Sequence, residues 1–380
     1  MNWSWKITRV SGIDIKIHAT FLLLLGWVAG SALINGTGSS GFIISLLYVL
    51  ALFFFVTLHE LGHALTARRF GIHTQDIVLL PIGGVSRMER LPDTPKEEFW
   101  ITAAGPLVNL VLALLFGGFL LLSGGLQGAT LTAVLSFSSS SILLQFAWMN
   151  ALLGIFNLIP AFPMDGGRIL RAALATRMPA PQATRTAATI GQALAVLFAL
   201  AGFLWDPMLI FIALFIFMGA GQEAQAAEVK SALSGYTARD AMLTEFNVLH
   251  EGDPLSQAVH YVVSTSQAEY PVLSGERVVG ILTRQGLVSG LQRLGERAPV
   301  SAVMQRNFLT LRPADALESA AAQINQTECH TMPVLENDQL VGLVTMENIG
   351  EFLMIQSALK KKDPPADSWN SSSRPSVNRG

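Results

Sequence analysis

FIISLLYVLALFFFVTLHELGH, residues 42–63, is an apolar run from Phe42 to Leu58 without a charged residue that leads directly into His59-Glu60-Leu61-Gly62-His63. The run is long enough to form most of a membrane-spanning helix. Positions i and i+4 of a helix share one face, so His59 and His63 can hold one metal ion with Glu60 beside its open coordination position. In a soluble helix the same five residues would fit two surface histidines around an ordinary glutamate. In hydrocarbon an ionisable side chain costs about 2.5 to 3.5 kcal/mol even on the lenient insertion scale, and a bound metal is the obvious compensation.

Composition points to a membrane protein with a soluble appendage. Of the 380 residues 51% are hydrophobic and 14% charged, with a mean hydropathy of +0.45. The long apolar segments lie in residues 1–228. Residues 229–235 read as a linker, 236–295 and 296–356 as two soluble modules, and 357–380 as a polar, Pro/Ser-rich tail expected to be disordered. The net charge of −2 argues against a nucleic-acid partner. The single cysteine, Cys329, excludes an internal disulfide, suits a reducing compartment and reads as a small buried hydrophobe.

Six spans are expected, at about 19–35, 42–65, 99–123, 140–162, 187–205 and 208–226, which puts both termini on one side. Lysine and arginine avoid 36–41, 124–139 and the surroundings of Asp206, and concentrate before span one, after spans two and four, and beyond span six. By the positive-inside rule both termini and the soluble half of this multi-pass protein are cytoplasmic, and the histidines lie near the cytoplasmic end of span two. No cleavable leader is evident in the first 18 residues.

A third ligand should come from the same depth. Span four ends in Asn157-Leu158-Ile159-Pro160-Ala161-Phe162-Pro163-Met164-Asp165-Gly166-Gly167-Arg168, which emerges on the cytoplasmic side. The prolines break the helix, and the glycines permit an unusual backbone that could turn the Asp165 carboxylate back toward the bundle. Asp165 taken alone reads first as the N-cap of a following helix, Gly166 to Arg177. Beside His59 and His63, the ligand reading is preferred.

With these motifs the membrane half resembles the site-2 protease family of intramembrane zinc metalloproteases. The resemblance also rests on Gly105-Pro106-Leu107-Val108-Asn109 in span three and on Gly12-Ile13 through His18 before span one. It implies one Zn²⁺ held by His59, His63 and Asp165, with Glu60 as general base and acid for a water whose pKa the metal lowers to about 7. It further implies that Asn157 hydrogen-bonds the substrate carbonyl or its oxyanion. A packing amide across the bundle is an equal reading of Asn157. Asn109 is expected to pack or to support a ligand, and His18 to be structural. The implied partners are the lipid bilayer and a membrane protein whose spanning helix must be unwound locally before its carbonyls are accessible. Residues 72–90, with two short apolar stretches around Gly83-Gly84, read as a membrane-associated β-hairpin, which the resemblance implies clamps substrate by strand addition, a merely structural re-entrant loop being the competing reading. His73 is expected to lie too near the surface to reach the metal.

The soluble half is an internal repeat at a constant offset of 62 residues. Met242, Phe246, Asp253, Leu255, Pro271, Gly280 and Thr283 recur as Met304, Phe308, Asp315, Leu317, Pro333, Gly342 and Thr345. Each copy reads as a helix, two strands around a polar turn and a second helix. This resembles a CBS pair, an α/β module whose cleft often takes an adenine nucleotide and which can form a homodimer interface. Of the family's Gly-x-x-Thr-x-x-Asp pattern, Thr345 and Asn348 stand in the second copy where Thr and Asp are expected, and the first keeps Thr283 but has Gly286 in place of the acid. At most one nucleotide site is expected, and a purely structural or dimerising role is an equal reading.

The fold expected is therefore a polytopic α-helical membrane protein of six spans with a short hairpin, followed by a cytoplasmic CBS pair. Two functions stay open on the residues alone: an intramembrane zinc endopeptidase that cleaves spanning segments of membrane-anchored proteins, and an ion transporter or channel using the same buried cluster. The helices show no inverted repeat, which disfavours the transporter. A catalytically dead relative is a lesser third reading, because every residue the chemistry needs is present.

Overall fold

The computed structural model describes residues 3–34, 38–81, 83–90, 92–124, 142–324, 327 and 329–360. The chain divides into two compact units, Met1–Glu228 and Val229–Gly380.

In the first unit the apolar runs form helices α1 (Phe21–Ile34), α2 (Gly38–Arg69), α3 (Pro95–Leu122), α4 (Ile142–Asn157), α6 (Ala180–Leu204) and α7 (Met208–Leu233), with the short α5 (Asp165–Ala175) between α4 and α6. Four of these, α2, α3, α6 and α7, are long and apolar enough to cross a membrane; the described parts of α1 and α4 are apolar but shorter. The loop expected at 124–139 and the start of span four at 140 lie largely outside the described residues. Helix α4 ends at Asn157, five residues short of the expected 162, because Pro160 and Pro163 cannot continue it. The glycines that follow were expected to relax the backbone. Instead they lie in the first turn of α5, where a Cβ on Gly166 would stand 2.1 Å from the Ile159 carbonyl oxygen and one on Gly167 2.5 Å from the Phe162 nitrogen. They are needed for close packing of the Leu158–Phe162 turn on α5.

Hydropathy alone did not show that the hairpin is half of a larger sheet. Strands β1 (Ser4–Val10), β2 (Ile13–His18), β3 (Thr74–Leu80) and β4 (Gly83–Met88) form one sheet in that order. The outer pairs are antiparallel and β2 runs parallel to β3. Alternate residues Ile13, Ile15, Ile77 and Leu79 are buried and form a core with Phe21 of α1 and Phe53, Leu61 and Ala64 of α2. Thus the sheet packs on the helix that carries the histidine motif. Within it Asp76 is 3% exposed and is held by Lys16 of β2 at 2.5 Å and by a two-pronged pair from Arg87 of β4. Arg171 of α5 does the same for the helices: its guanidinium pairs with Glu98 in the first turn of α3 and reaches Glu223 of α7 at 3.0 Å.

In the second unit each copy is built as expected. Helix α9 (Leu255–Ser264), strands β6 (Tyr270–Ser274) and β7 (Arg277–Leu282) and helix α10 (Arg284–Leu294) recur as α11 (Leu317–Ile324), β8 (Thr331–Glu336), β9 (Gln339–Thr345) and α12 (Met346–Lys360). A one-turn helix, α8 (Ala238–Ala241), and the two-residue β5 (Leu249–His250) precede α9 in the first copy; β5 runs parallel to β6. The 62-residue register has a physical cause in an exchange between copies. Leu243 trades both backbone hydrogen bonds with Leu343, and Gln305 does the same with Ile281. Met242 lies against Gly342 and Met304 against Gly280, where a Cβ would approach the sulfur to 2.7 and 2.6 Å. The repeated methionines and glycines are therefore complementary halves of one interface. Helix α12 runs to Lys360, past the expected start of the tail, and residues 361–380 lie outside the described residues.

Asp76→Asn should lower the apparent stability of the detergent-purified protein by about 2 kcal/mol at neutral pH, because two cations lose their only shared carboxylate. Thermal unfolding is the measurement, and an unchanged transition would remove the triad as the clamp of the sheet.

Candidate metal centre

His59 and His63 lie on the buried face of α2, each 7% exposed, with their Nε2 atoms 3.1 Å apart. Asp165, at the first position of α5, places Oδ2 3.1 Å from His59 Nε2 and 3.2 Å from His63 Nε2. Among the described residues this is the one group of three such side chains close enough to share an ion. The far ring nitrogens are also occupied. His63 Nδ1 donates to the Ile101 carbonyl at 2.8 Å, and His59 Nδ1 donates to Asn109 Oδ1 at 2.6 Å. With protons on Nδ1, both Nε2 atoms present lone pairs to the centre.

The three inward atoms then form a nearly equilateral triangle of acceptors, and the buried Asp165 Oδ2 receives no hydrogen bond. Three lone pairs so close in apolar surroundings repel unless a cation lies among them. Zinc–ligand bonds of about 2.0 to 2.1 Å in a tetrahedron put ligand atoms about 3.3 Å apart, which this donor set matches. The residues therefore fit Zn²⁺, and a fourth tetrahedral position is left for a non-protein ligand.

Two glycines make the arrangement sterically feasible. A Cβ on Gly105 of α3 would lie 2.2 Å from His63 Nε2 and 2.8 Å from His59 Nε2. One on Gly84 of β4 would lie 2.5 Å from Glu60 Cγ and 3.0 Å from its Oε1. So the bare backbone of α3 backs the histidines, and the edge strand of the sheet lies against the half-buried Glu60. Asn157, the last residue of α4, is not joined to the triangle; its amide donates to the Leu153 carbonyl of its own helix at 2.9 Å. His18 Nδ1 accepts from the Thr20 backbone N–H at 3.3 Å, between β2 and α1. His73 is exposed, 3.7 Å from Glu89. Asn150, 0% exposed within α4, was missed in the sequence; an amide in the middle of an apolar helix is a signal that could have found it.

A cleft of about 1250 Å³ in the second unit is lined by Thr283, Thr345 and Asn348 together with Arg284, Glu269 and Glu347. The Thr283 hydroxyl accepts from the Gly286 N–H at 3.0 Å and so caps α10. The Thr345 hydroxyl caps α12 in the same way, accepting from the Asn348 N–H at 3.2 Å and donating to Asn348 Oδ1 at 2.5 Å. Burial pushes the Glu269 carboxyl up from its ordinary value, and its Oε2 has no hydrogen-bond partner.

Known proteins place this architecture. Residues 47–201 match the Peptidase family M50 description, and residues 238–293 and 300–354 each match a CBS domain. The zinc metalloprotease MJ0392 of Methanocaldococcus jannaschii is 30% identical over 97% of this chain and 100% of its own length. The chain belongs to the site-2 protease family of zinc metalloproteases, peptidase family M50, with an appended CBS pair. A solved site-2 protease from M. jannaschii is 36% identical, covering 58% of this chain and 95% of its own, with a TM-score of 0.42. Stage IV sporulation protein FB of Bacillus subtilis is 31% identical over 36% of this chain and 43% of its own. Membership of a peptidase family leaves the transporter reading without support.

Gly105→Ala tests the geometry. Alanine favours a helix over glycine by about 1 kcal/mol, so α3 itself should tolerate the change. The added methyl should nevertheless push the histidines apart, and metal analysis of the purified variant should find zinc well below one per chain. Full zinc occupancy in this variant would contradict the close approach of α3 to the ligand atoms.

Proposed function

We propose that this site-2 protease relative is an intramembrane zinc endopeptidase that cleaves spanning segments of membrane-anchored proteins, with one Zn²⁺ held by His59, His63 and Asp165. The observation that carries the reading is the triangle of three converging ligand atoms, His59 Nε2, His63 Nε2 and Asp165 Oδ2, with Glu60 next to His59 in the chain. Bound there, zinc would supply a Lewis acid and bring the pKa of a water in its open position to about 7. Glu60 takes a proton from the attacking water and returns it to the departing amine, a role that contributes about 10² to 10⁴ in rate. Asn157 would serve the substrate carbonyl or oxyanion once substrate recruits its amide from the Leu153 carbonyl.

The contact between Gly84 and Glu60 supports a clamp. Strand β4 is the last in its sheet, so its outer edge can pair with an extended substrate strand within reach of the base. In this reading the hairpin dips into the bilayer, α1 and α4 complete six spans, and both termini with residues 236–356 are cytoplasmic. The domain limits are 1–228, 236–295 and 296–356, with a linker at 229–235. The CBS pair, which can also mediate dimerisation, would regulate cleavage through an adenine nucleotide near Thr283, Thr345 and Asn348. A ligand that binds two arrangements of the pair equally could not regulate anything, so its affinity must differ between them.

Two measurements test this function. Glu60→Gln should retain one zinc per chain while cleavage of a single-pass membrane substrate in proteoliposomes falls at least about a hundredfold; turnover at the parental rate would sink the mechanism. Calorimetric titration of the full chain in detergent with AMP, ADP and ATP should show binding that Asn348→Ala weakens by several-fold, about 1 kcal/mol for one hydrogen bond. No heat with any of the three would leave the pair as a dimerisation or docking module.

A further inference from the structure

His63 and His59 face the centre in the same way but are held differently. The Nδ1 proton of His63 is assigned by the Ile101 carbonyl, which can only accept. The partner of His59 is an amide, and an amide can present either an acceptor or a donor. Were the Asn109 amide rotated, its NH₂ would face His59 Nδ1. The proton of His59 would then move to Nε2, pointing at Asp165 and His63, and His59 could not bind a metal.

A second amide removes that freedom. Asn109 Nδ2 donates to Asn150 Oδ1 at 3.0 Å, and Asn150 Nδ2 donates to the Phe146 carbonyl at 3.0 Å. Both asparagines are 0% exposed, so water is not at hand to replace a partner. The Phe146 carbonyl cannot donate, so Asn150 must give it the NH₂ group and turn its oxygen toward Asn109. Asn109 must then give its NH₂ to that oxygen and its own oxygen to His59. Each orientation follows from the last, and the sequence ends at a backbone atom that cannot rotate. All bonds run in one sense, from His59 to Phe146, so each amide polarises the next.

We propose that Asn150 is a positioning residue for the metal centre: acting through Asn109, it fixes the Nδ1-protonated tautomer of His59 and keeps Nε2 free for a metal. This rests on the zinc reading above. Two helices thereby share control of one ligand, because Asn109 lies on α3 and Asn150 on α4. In the metal-free site the relay opposes a competing preference, since an Nε2–H of His59 would find the Asp165 carboxylate 3.1 Å away.

The test uses the full chain in detergent, with zinc affinity measured by chelator competition. Asn150→Leu frees the Asn109 amide to rotate and should weaken zinc binding about ten- to a hundredfold, the range for an outer partner of a metal ligand. Asn109→Asp should retain zinc, because either carboxylate oxygen can accept from His59 Nδ1. In that background Asn150→Leu should change affinity little further, since a carboxylate has no wrong orientation. Equal loss in both backgrounds would mean that Asn150 merely packs, and parental affinity in Asn150→Leu would overturn the relay outright. Should the leucine variant fail to fold, Asn150→Ala removes the acceptor toward Asn109 without overfilling the site and should show the same loss, whereas Asn150→Asp, whose carboxylate still accepts from the Asn109 NH₂, should retain zinc.

Nitrogen-15 NMR of histidine-labelled, metal-free protein reads the tautomer directly. His59 should be protonated on Nδ1 in the parent and shift toward Nε2 in Asn150→Leu. An Nε2-protonated His59 in the parent would overturn the proposal. The expected tautomer in a parent that binds no zinc would instead overturn the metal reading and leave the relay standing.

Discussion

Three acceptor atoms held about 3.1 to 3.2 Å apart inside a largely apolar helical unit form the constraint on which the rest of the membrane half depends. Such a cluster is costly in isolation, because buried lone pairs without donors lose their hydration and repel one another. A cation at their centre turns that cost into ligation. Helical spacing brings two of the atoms onto one face of α2, and the first turn of α5 brings the third. Gly105 lets α3 approach the histidines, and Gly166 and Gly167 let the Leu158–Phe162 turn pack tightly on the helix that begins with Asp165. These glycines matter through volume; none is among the residues of positive φ.

Elsewhere among the described residues of this unit, Asp76 and Arg171 follow one rule: each has charged partners on different elements. Asp76 collects Lys16 and Arg87 from the strands on either side, so the sheet that carries the β4 edge keeps its register. Arg171 ties α5 to α3 and α7, holding the helix that begins with Asp165. Its guanidinium also lies 5.8 Å from the centre of the Phe162 ring. In the soluble unit the rule becomes reciprocal, with each copy donating a methionine to the other's glycine and exchanging paired backbone hydrogen bonds. A repeat whose copies complete one another has reason to keep its spacing.

The sequence by itself determined the helices, the ligand candidates and the duplicated module, because each is encoded by local periodicity or by identities at fixed offsets. His59 and His63 are a turn apart wherever the helix sits, and the 62-residue register needs no coordinates. Tertiary structure alone decided the features whose partners are remote in the chain. The parallel pairing of β2 with β3 joins segments about sixty residues apart, and no alternation within either strand announces it. The approach of Gly84 to Glu60, the role of Gly105 and the Asn109–Asn150 relay depend on which atoms of separate helices and strands meet. The glycines after Asp165 show the difference most clearly. Read locally, they suggest backbone freedom; in the fold they supply the absence of a side chain, since the next backbone is already where a Cβ would be.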